Sequence, residues 1–175
     1  MMKHIVLGLM AVGLVAFTAT AARADSDYEY GKQMAKLVKA MPGAKVTLAQ
    51  GIKDAEKDGK AISAQYEVDE DAGFQLSVFV SKGSDIYETI VDYTTGSIKK
   101  SEKLVDPDDI KDAAKQVTAM AKAKKSLADA VDAAVKANAG YTAIRVVPKL
   151  SGGATVAAIT LLKDGKTKKL TEKLD

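Results

Sequence analysis

The chain has 175 residues, of which 26 are basic and 23 acidic, with no Cys and a single His, His4. The chain therefore has no thiol, and its one imidazole lies at the extreme N-terminus. This composition excludes Cys nucleophiles, His-based triads and nearly all zinc, copper or haem sites. The formal net charge of +3 gives little long-range attraction to nucleic acid or anionic lipid. Catalysis by carboxylates or Lys remains open.

Residues 1–24 have the pattern of a secretory signal peptide. Lys3 and His4 precede an uncharged apolar run over residues 5–17, and a small-x-small triplet ends at Ala24. The run is shorter than the ~20 residues that span a bilayer, and an uncleaved amphipathic anchor is the alternative. No Cys follows the run, so the sequence predicts no lipoprotein anchor. We expect cleavage after Ala24 and export from a bacterium, either to the periplasm or into the medium.

A leading segment, residues 25–44, carries apolar residues at helical spacing and predicts a helix from about Tyr28 to Met41. Pro42-Gly43 ends it. A second, shorter helix follows Thr47, where the sequence has a capping-box pattern. In that pattern the Thr47 hydroxyl caps the helix, and the Gln50 side chain reaches back to it.

Residues 61–100 predict an antiparallel meander. Apolar and polar residues alternate in two runs that are separated by Gly-containing turns, and a third run follows. The third run ends in a tight loop from Asp92 to Gly96, in which Asp bonds to loop amides and Gly supplies a positive φ. A fourth strand begins at Ile98.

Residues 105–125 predict a connecting helix. Asp106 acts as its cap and Pro107 occupies the first turn. Its Lys and Asp residues are interspersed and it has no large aromatic residue. This composition favours a helix half-packed on the body of the protein over a membrane-binding helix.

The sequence also contains an internal repeat. Ser126-Leu-Ala-Asp-Ala-Val echoes Thr47-Leu-Ala-Gln-Gly-Ile at a separation of 79 positions, and three predicted strands follow over residues 141–149, 154–162 and 166–174. The chain ends with Lys173-Leu-Asp175 at the position of Ile90-Val-Asp92. The predicted fold class is α+β, with two tandem small units, each of helices followed by an antiparallel β-meander with a helix packed on one sheet face. The Lys-rich last strand suits a protected sheet edge.

The first unit, residues 45–104, resembles the PepSY domain family. The resemblance rests on the TLAQGIKDAE helix, the strand containing Tyr66, and the ending IVDYTTGSIKK. The second unit, residues 126–175, looks like a truncated PepSY domain. Together the two units cover most of the chain after the signal peptide.

The resemblance implies a small α+β fold and a non-catalytic role. PepSY modules occur in propeptides of thermolysin-like metalloproteases, as intramolecular chaperones and inhibitors, and alone in small exported proteins. This chain has no H-E-x-x-H protease motif. Any inhibition would therefore act on a separate partner. We expect Val91, Asp92, Thr95 and Gly96 to form a structural turn, without a catalytic residue.

An apolar cluster is predicted on the outer face of the meander. If Phe74 and Val78 face the covering helix, strand alternation places Phe79, Ile86 and Ile90 on the opposite face. An exposed patch of this kind often marks a partner-binding surface. The alternative is that the second unit or the leading helix covers it.

No cofactor or metal site is predicted. The acidic groups at residues 67–71 and 106–109 lack the spacing of a calcium loop, so a solvated turn and a helix cap explain them. The Lys tracts at 122–125 and 163–169 have no interleaved aromatic residues, so they are read as solvated faces and not as nucleic-acid sites.

Two functional classes follow from these observations. The first is a binding module for another exported protein, which inhibits or chaperones an enzyme such as a protease. The second is a structural or envelope-associated protein that binds a cell-wall or lipid component. No membrane span is expected after signal cleavage, and the oligomeric state is left open.

Overall fold

A computed structural model of the protein describes residues 31–69, 71 and 73–175. The predicted signal peptide and the predicted start of the leading helix lie outside these residues. The described part of helix α1 covers residues 31–40, and a 3-10 turn follows at Met41–Gly43. The remaining helices are α2 (Leu48–Ala55), α3 (Pro107–Lys122) and α4 (Leu127–Ala137). The strands are β1 (Lys60–Asp69), β2 (Gly73–Lys82), β3 (Asp85–Val91), β4 (Ile98–Lys103), β5 (Thr142–Ser151), β6 (Ala154–Lys163) and β7 (Lys166–Lys173).

The strands form one antiparallel sheet in the order β4-β3-β2-β1-β5-β6-β7. The predicted fold of two tandem units, each with its own meander, is therefore wrong. The first strands of the two meanders pair with each other, with Ala64 opposite Val146 and Gln65 opposite Arg145. Without this pairing, β1 and β5 would each present a row of unpaired backbone groups at a sheet edge. Satisfying those groups joins the two meanders into a single sheet.

Helices α2 and α4 lie side by side on one face of the sheet, here named the near face. Gly51 allows α2 to approach closely, because a Cβ at this position would lie 2.4 Å from Leu76 Cδ2 of β2. Lys53 Nζ of α2 donates to Asp132 Oδ2 of α4 at 2.9 Å. The core between this helix layer and the sheet contains fully buried aliphatic side chains, among them Leu48, Ile52, Leu76, Val78, Leu127, Val131 and Ile159.

Helix α3 lies on the opposite face, here named the far face. Lys60 and Ser81 are cross-strand partners and so point to one face, and Lys60 Nζ donates to Met120 O of α3 at 2.6 Å. Ser81 also lines a groove together with Val117 of α3. Leu76 and Ser81 have opposite parity in β2, which places α2 and α3 on opposite faces.

The cap of α2 follows the predicted pattern in one of its two bonds. Gln50 N donates to Thr47 Oγ1 at 3.1 Å, which confirms Thr47 as the capping residue. The Gln50 side chain points forward, where its Nε2 donates to Asp54 Oδ2 at 3.2 Å. The predicted return bond from Gln50 is therefore wrong, because Asp54 one turn later offers a charged acceptor.

The same backbone contact recurs in both halves of the sheet. Tyr93 O accepts hydrogen bonds from the N–H groups of residues 45 and 46, at 2.8 and 2.9 Å. Leu174 O accepts from those of residues 124 and 125, at 2.6 and 3.0 Å. By this criterion Leu174 takes the place of Tyr93, not that of Val91 as the sequence comparison predicted.

Candidate functional site

The predicted apolar cluster is assembled on the far face. Ser81 lies opposite Ile86 and Ser77 opposite Ile90, so both isoleucines share a face with Phe79. This register confirms the parity that the alternation predicts. The structure therefore brings together the three side chains that the sequence assigned to one surface.

The cluster is not an open patch. Phe79 is 4% exposed and Ile86 8% exposed, whereas Ile90 is half-buried. The predicted covers were the second unit or the leading helix, but the helix that lies against Ile86 is α3. Partner binding by Phe79, Ile86 and Ile90 stays a prediction, and Ile86 also lines a cavity.

That cavity is a groove of about 300 Å³ between α3 and the β2–β3 hairpin, named here the hairpin groove. Its apolar lining is Ile86, Ile110, Ala114 and Val117, and the hairpin adds Ser81, Ser84 and Asp85. Ile110 is 39% exposed, and Val105, just before α3, is 82% exposed. Large apolar side chains therefore remain in contact with solvent on α3 and in the segment before it.

The sequence of α3 explains its position. Asp106 Oδ1 accepts from the N–H groups of Asp108 and Asp109 at 2.9 and 3.3 Å, and Pro107 occupies the first turn. The helix buries small side chains, including Ala113 and Ala119, which let it approach the sheet closely. The Lys60 ammonium donates to Met120 O in the last turn of α3, where its positive charge complements the negative end of the helix dipole.

A second feature of the far face is a cluster of carboxylates. Ser77 Oγ donates to Glu67 Oε1 at 2.5 Å, and Gln75 Nε2 donates to the same oxygen at 2.9 Å. Gln65 Nε2 donates to Glu67 Oε2 at 2.6 Å. Glu88 is 9% exposed on the neighbouring strand β3.

Burial first, and then the nearby Glu67 charge, raise the pKa of Glu88 to about 7, against smaller opposing effects of Ser77 and Lys100. A carboxyl group with a pKa near neutrality suits general acid–base chemistry. Neither Glu67 nor Glu88 lines the hairpin groove or the larger cleft described below. We therefore assign these two residues no catalytic role.

The predicted turn after β3 is closed by its own hydrogen bonds. Asp92 Oδ1 accepts from Thr94 N at 2.7 Å and from Thr95 N at 2.9 Å, and Gly96 N donates to Asp92 O at 2.8 Å. The Thr94 hydroxyl, together with the Lys99 ammonium, holds the pKa of Asp92 well below its usual range. Gly96 has a φ of +79°, and Val91 is 1% exposed. These bonds leave Asp92 engaged within the turn.

A larger cleft, of about 500 Å³, lies between the segment before α2 and the β6–β7 hairpin. We name it the α1 cleft, because Val38 of α1 and Met41 line one of its walls. Tyr66 and Leu162 line it from the sheet, and the Tyr66 hydroxyl donates to Val46 O. Burial raises the pKa of Tyr66 to about 12.

Among the described residues, no group of three or more His, Cys, Asp or Glu side chains is placed to hold a metal ion. In the same part of the chain, no helix is both long and apolar enough to cross a membrane. The absence of a cofactor stays a prediction from the sequence.

Sequence reasoning missed the carboxylate cluster and both cavities. Glu67 and Glu88 are 21 positions apart, and only the alternation of β1 and β3 could indicate that they share a face. The walls of the α1 cleft come from distant parts of the chain, and no local pattern predicts their proximity. The burial of small residues on α3 was the one available signal for the cover of the cluster.

The chain matches no family model, and no curated protein is similar to it. Among solved structures it is similar to a crystal structure of a "putative lipoprotein" from Clostridium difficile 630. The two share 21% sequence identity with a TM-score of 0.39, over 70% of this chain and 80% of that chain. This likeness is too distant to bear on function.

Proposed function

We propose that the chain is an exported, non-catalytic binding module that holds an apolar segment of a separate extracytoplasmic protein in the hairpin groove. The observation that carries this proposal is the exposure of Ile110 beside the buried Ile86 in an apolar groove. Contiguous exposed apolar surface with a polar rim is typical of protein interaction sites.

The two walls of the groove are fixed by contacts within the chain. α3 is capped at its N-terminus by Asp106 and held at its C-terminus by Lys60. The hairpin wall is tied to the next strand by an ion pair between Lys103 Nζ and Asp85 Oδ1, at 2.8 Å. A pre-formed site loses less conformational entropy on binding than one that must be ordered.

The class of partner comes from the resemblance of residues 45–104 to PepSY domains. That resemblance supports a role as an inhibitor or chaperone of an exported enzyme such as a protease. The signal-peptide pattern of residues 1–24 supports export. The lack of Cys, and of His beyond His4, supports a binding role over a catalytic one.

The test compares capture by the unaltered chain with capture by Ile110→Glu and Leu150→Glu variants. Ile110 and Leu150 are 39% and 45% exposed, so both substitutions should leave the fold intact. We expect a partner protein from the exported fraction to bind the unaltered chain and Leu150→Glu but not Ile110→Glu. The purified partner should then bind at one site, and its enzymatic activity is measured with and without the chain.

Equal capture by all three chains would contradict the proposal. Retention of the chain on cell-wall or membrane material, in the absence of a captured protein, would instead favour the envelope-associated role.

A further inference from the structure

The α1 cleft is apolar inside and basic at its rim. Its apolar lining residues below the rim are Val38, Met41, Ala44, Val46, Tyr66 and Leu162. Its volume of about 500 Å³ lies within the range of small-molecule binding sites. The hairpin groove is formed by other residues, so the two sites are separate.

Two lysines stand at the rim on different elements. Lys45 belongs to the segment before α2, and Lys163 belongs to the β6–β7 hairpin; both residues are exposed. Lys163 Nζ lies 5.6 Å from the centre of the Tyr141 ring, and Lys168 Nζ lies 5.8 Å from the same ring. Two ammonium groups therefore lie near the Tyr141 ring at this side of the cleft. Among the described residues that line the cleft, Asp164 is the one acidic residue.

We propose that the α1 cleft binds a single-chain anionic amphiphile, namely a long-chain fatty-acid carboxylate. The acyl tail would be buried among the apolar lining residues, because removal of its CH₂ groups from water favours binding. The carboxylate would remain at the wet rim between Lys45 and Lys163. Lysines suit this position because a hydrated ammonium attracts an anion without the fixed geometry that Arg imposes.

Charge and volume together select this ligand. A neutral apolar molecule would gain nothing from the two rim lysines. A two-chain phospholipid would have to divide its tails between one cleft and solvent. An acidic head on one tail uses both features of the cleft at once.

The test measures saturable binding of oleate, below its micelle concentration, to the exported chain. Oleyl alcohol serves as the uncharged analogue. The Lys45→Glu/Lys163→Glu variant should bind oleate at least tenfold more weakly and oleyl alcohol equally well. The control variant Lys111→Glu/Lys122→Glu reverses two exposed lysines of α3 and should bind oleate as the unaltered chain does. Ile110→Glu should also bind oleate normally, which separates this test from that of the hairpin groove.

Three outcomes would overturn the inference. The first is no saturable oleate binding by the unaltered chain. The second is an equal loss in the rim and control variants, which would indicate a general charge effect. The third is binding to phosphatidylglycerol vesicles without binding of free oleate, which would indicate a lipid surface as the ligand.

The Met41→Glu variant places a charge in the apolar wall of the cleft. It should weaken the binding of both oleate and oleyl alcohol.

Discussion

Lys53 of α2 and Asp132 of α4 form an ion pair, with Nζ 2.9 Å from Oδ2, across 79 positions of the chain. The same separation relates Thr47 to Ser126, the capping residues of the two helices. Corresponding positions of the repeated helices therefore face each other in one layer. The two halves of the internal repeat therefore contact each other through their helices as well as through the β1–β5 pairing that joins the sheet.

The pKa of Glu88 predicts a pH-dependent stability. Between pH 4.5 and about 7 the folded chain binds a proton at Glu88 that the unfolded chain releases, so the free energy of unfolding falls as pH rises through this window. Glu88→Gln should remove that dependence and raise stability at pH 8 on the order of 2 kcal/mol. Urea unfolding at pH 5 and pH 8 measures both effects.

Glu102→Gln is the matched control for Glu88→Gln. Glu102 lies opposite Glu88 on β4, but its side chain is 51% exposed. The Glu102 charge is the smallest of the effects that raise the pKa of Glu88, so Glu102→Gln should change the pH profile only slightly. If Glu88→Gln and Glu102→Gln gave the same profile, burial of Glu88 would not be the cause.

Gly51→Ala should test the close approach of α2 to the sheet. The added Cβ would lie 2.4 Å from Leu76 Cδ2, and Leu76 is fully buried, so we expect a loss of about 2 kcal/mol. In a Leu76→Ala background the same change should instead stabilise by up to about 1 kcal/mol, because Ala is a better helix former than Gly. Urea unfolding of the unaltered chain, Gly51→Ala, Leu76→Ala and the double variant gives the coupling free energy between the two positions. An unchanged sign in the Leu76→Ala background would exclude the steric explanation.

Gly96→Ala should be more costly than Gly83→Ala. Both glycines have positive φ, +79° and +63°, where an L-residue costs about 1–2 kcal/mol. A Cβ at Gly96 would in addition lie 2.6 Å from Asp54 Oδ2, whereas nothing lies within 4 Å of one at Gly83. The thermal midpoint should therefore fall further for Gly96→Ala. Combination with Asp54→Ala should reduce the difference, and a constant difference would contradict the proposed contact.

The edge strand β7 should resist aggregation because of its lysines. Lys169→Gln/Lys173→Gln removes two positive charges from a strand with one free edge, which should increase light scattering at constant thermal midpoint. Lys111→Gln/Lys122→Gln removes the same charge from α3 and serves as the control. Similar scattering from both variants would mean that net charge, not the edge, governs solubility.

Local patterns predicted the elements closely. The Thr47 and Asp106 caps, the Gly-containing turns and the strand alternation each depend on neighbours within a few positions. Backbone hydrogen bonding and side-chain parity act over that same range. The sequence therefore indicated the helices, the strands and the shared face of Phe79, Ile86 and Ile90.

The cover over that face could not be predicted in the same way. α3 carries small buried side chains such as Ala113 and Ala119, which fit many surfaces equally well. Its placement on the far face depends on the β1–β5 pairing, because that pairing brings β5 and β6 beside the first meander. The hairpin groove follows from this placement.

The amino-acid sequence alone determined the order and approximate bounds of the described elements, the absence of thiol and imidazole chemistry outside His4, and the repeat that relates α2 to α4. The tertiary structure decided that the two meanders share one sheet, that α3 lies beside Ile86, and that Lys45 and Lys163 line one cleft. The physical reason is the separation along the chain over which each interaction acts. Periodicity and capping act between near neighbours, whereas strand-edge pairing and burial join residues far apart in the chain and depend on the whole fold.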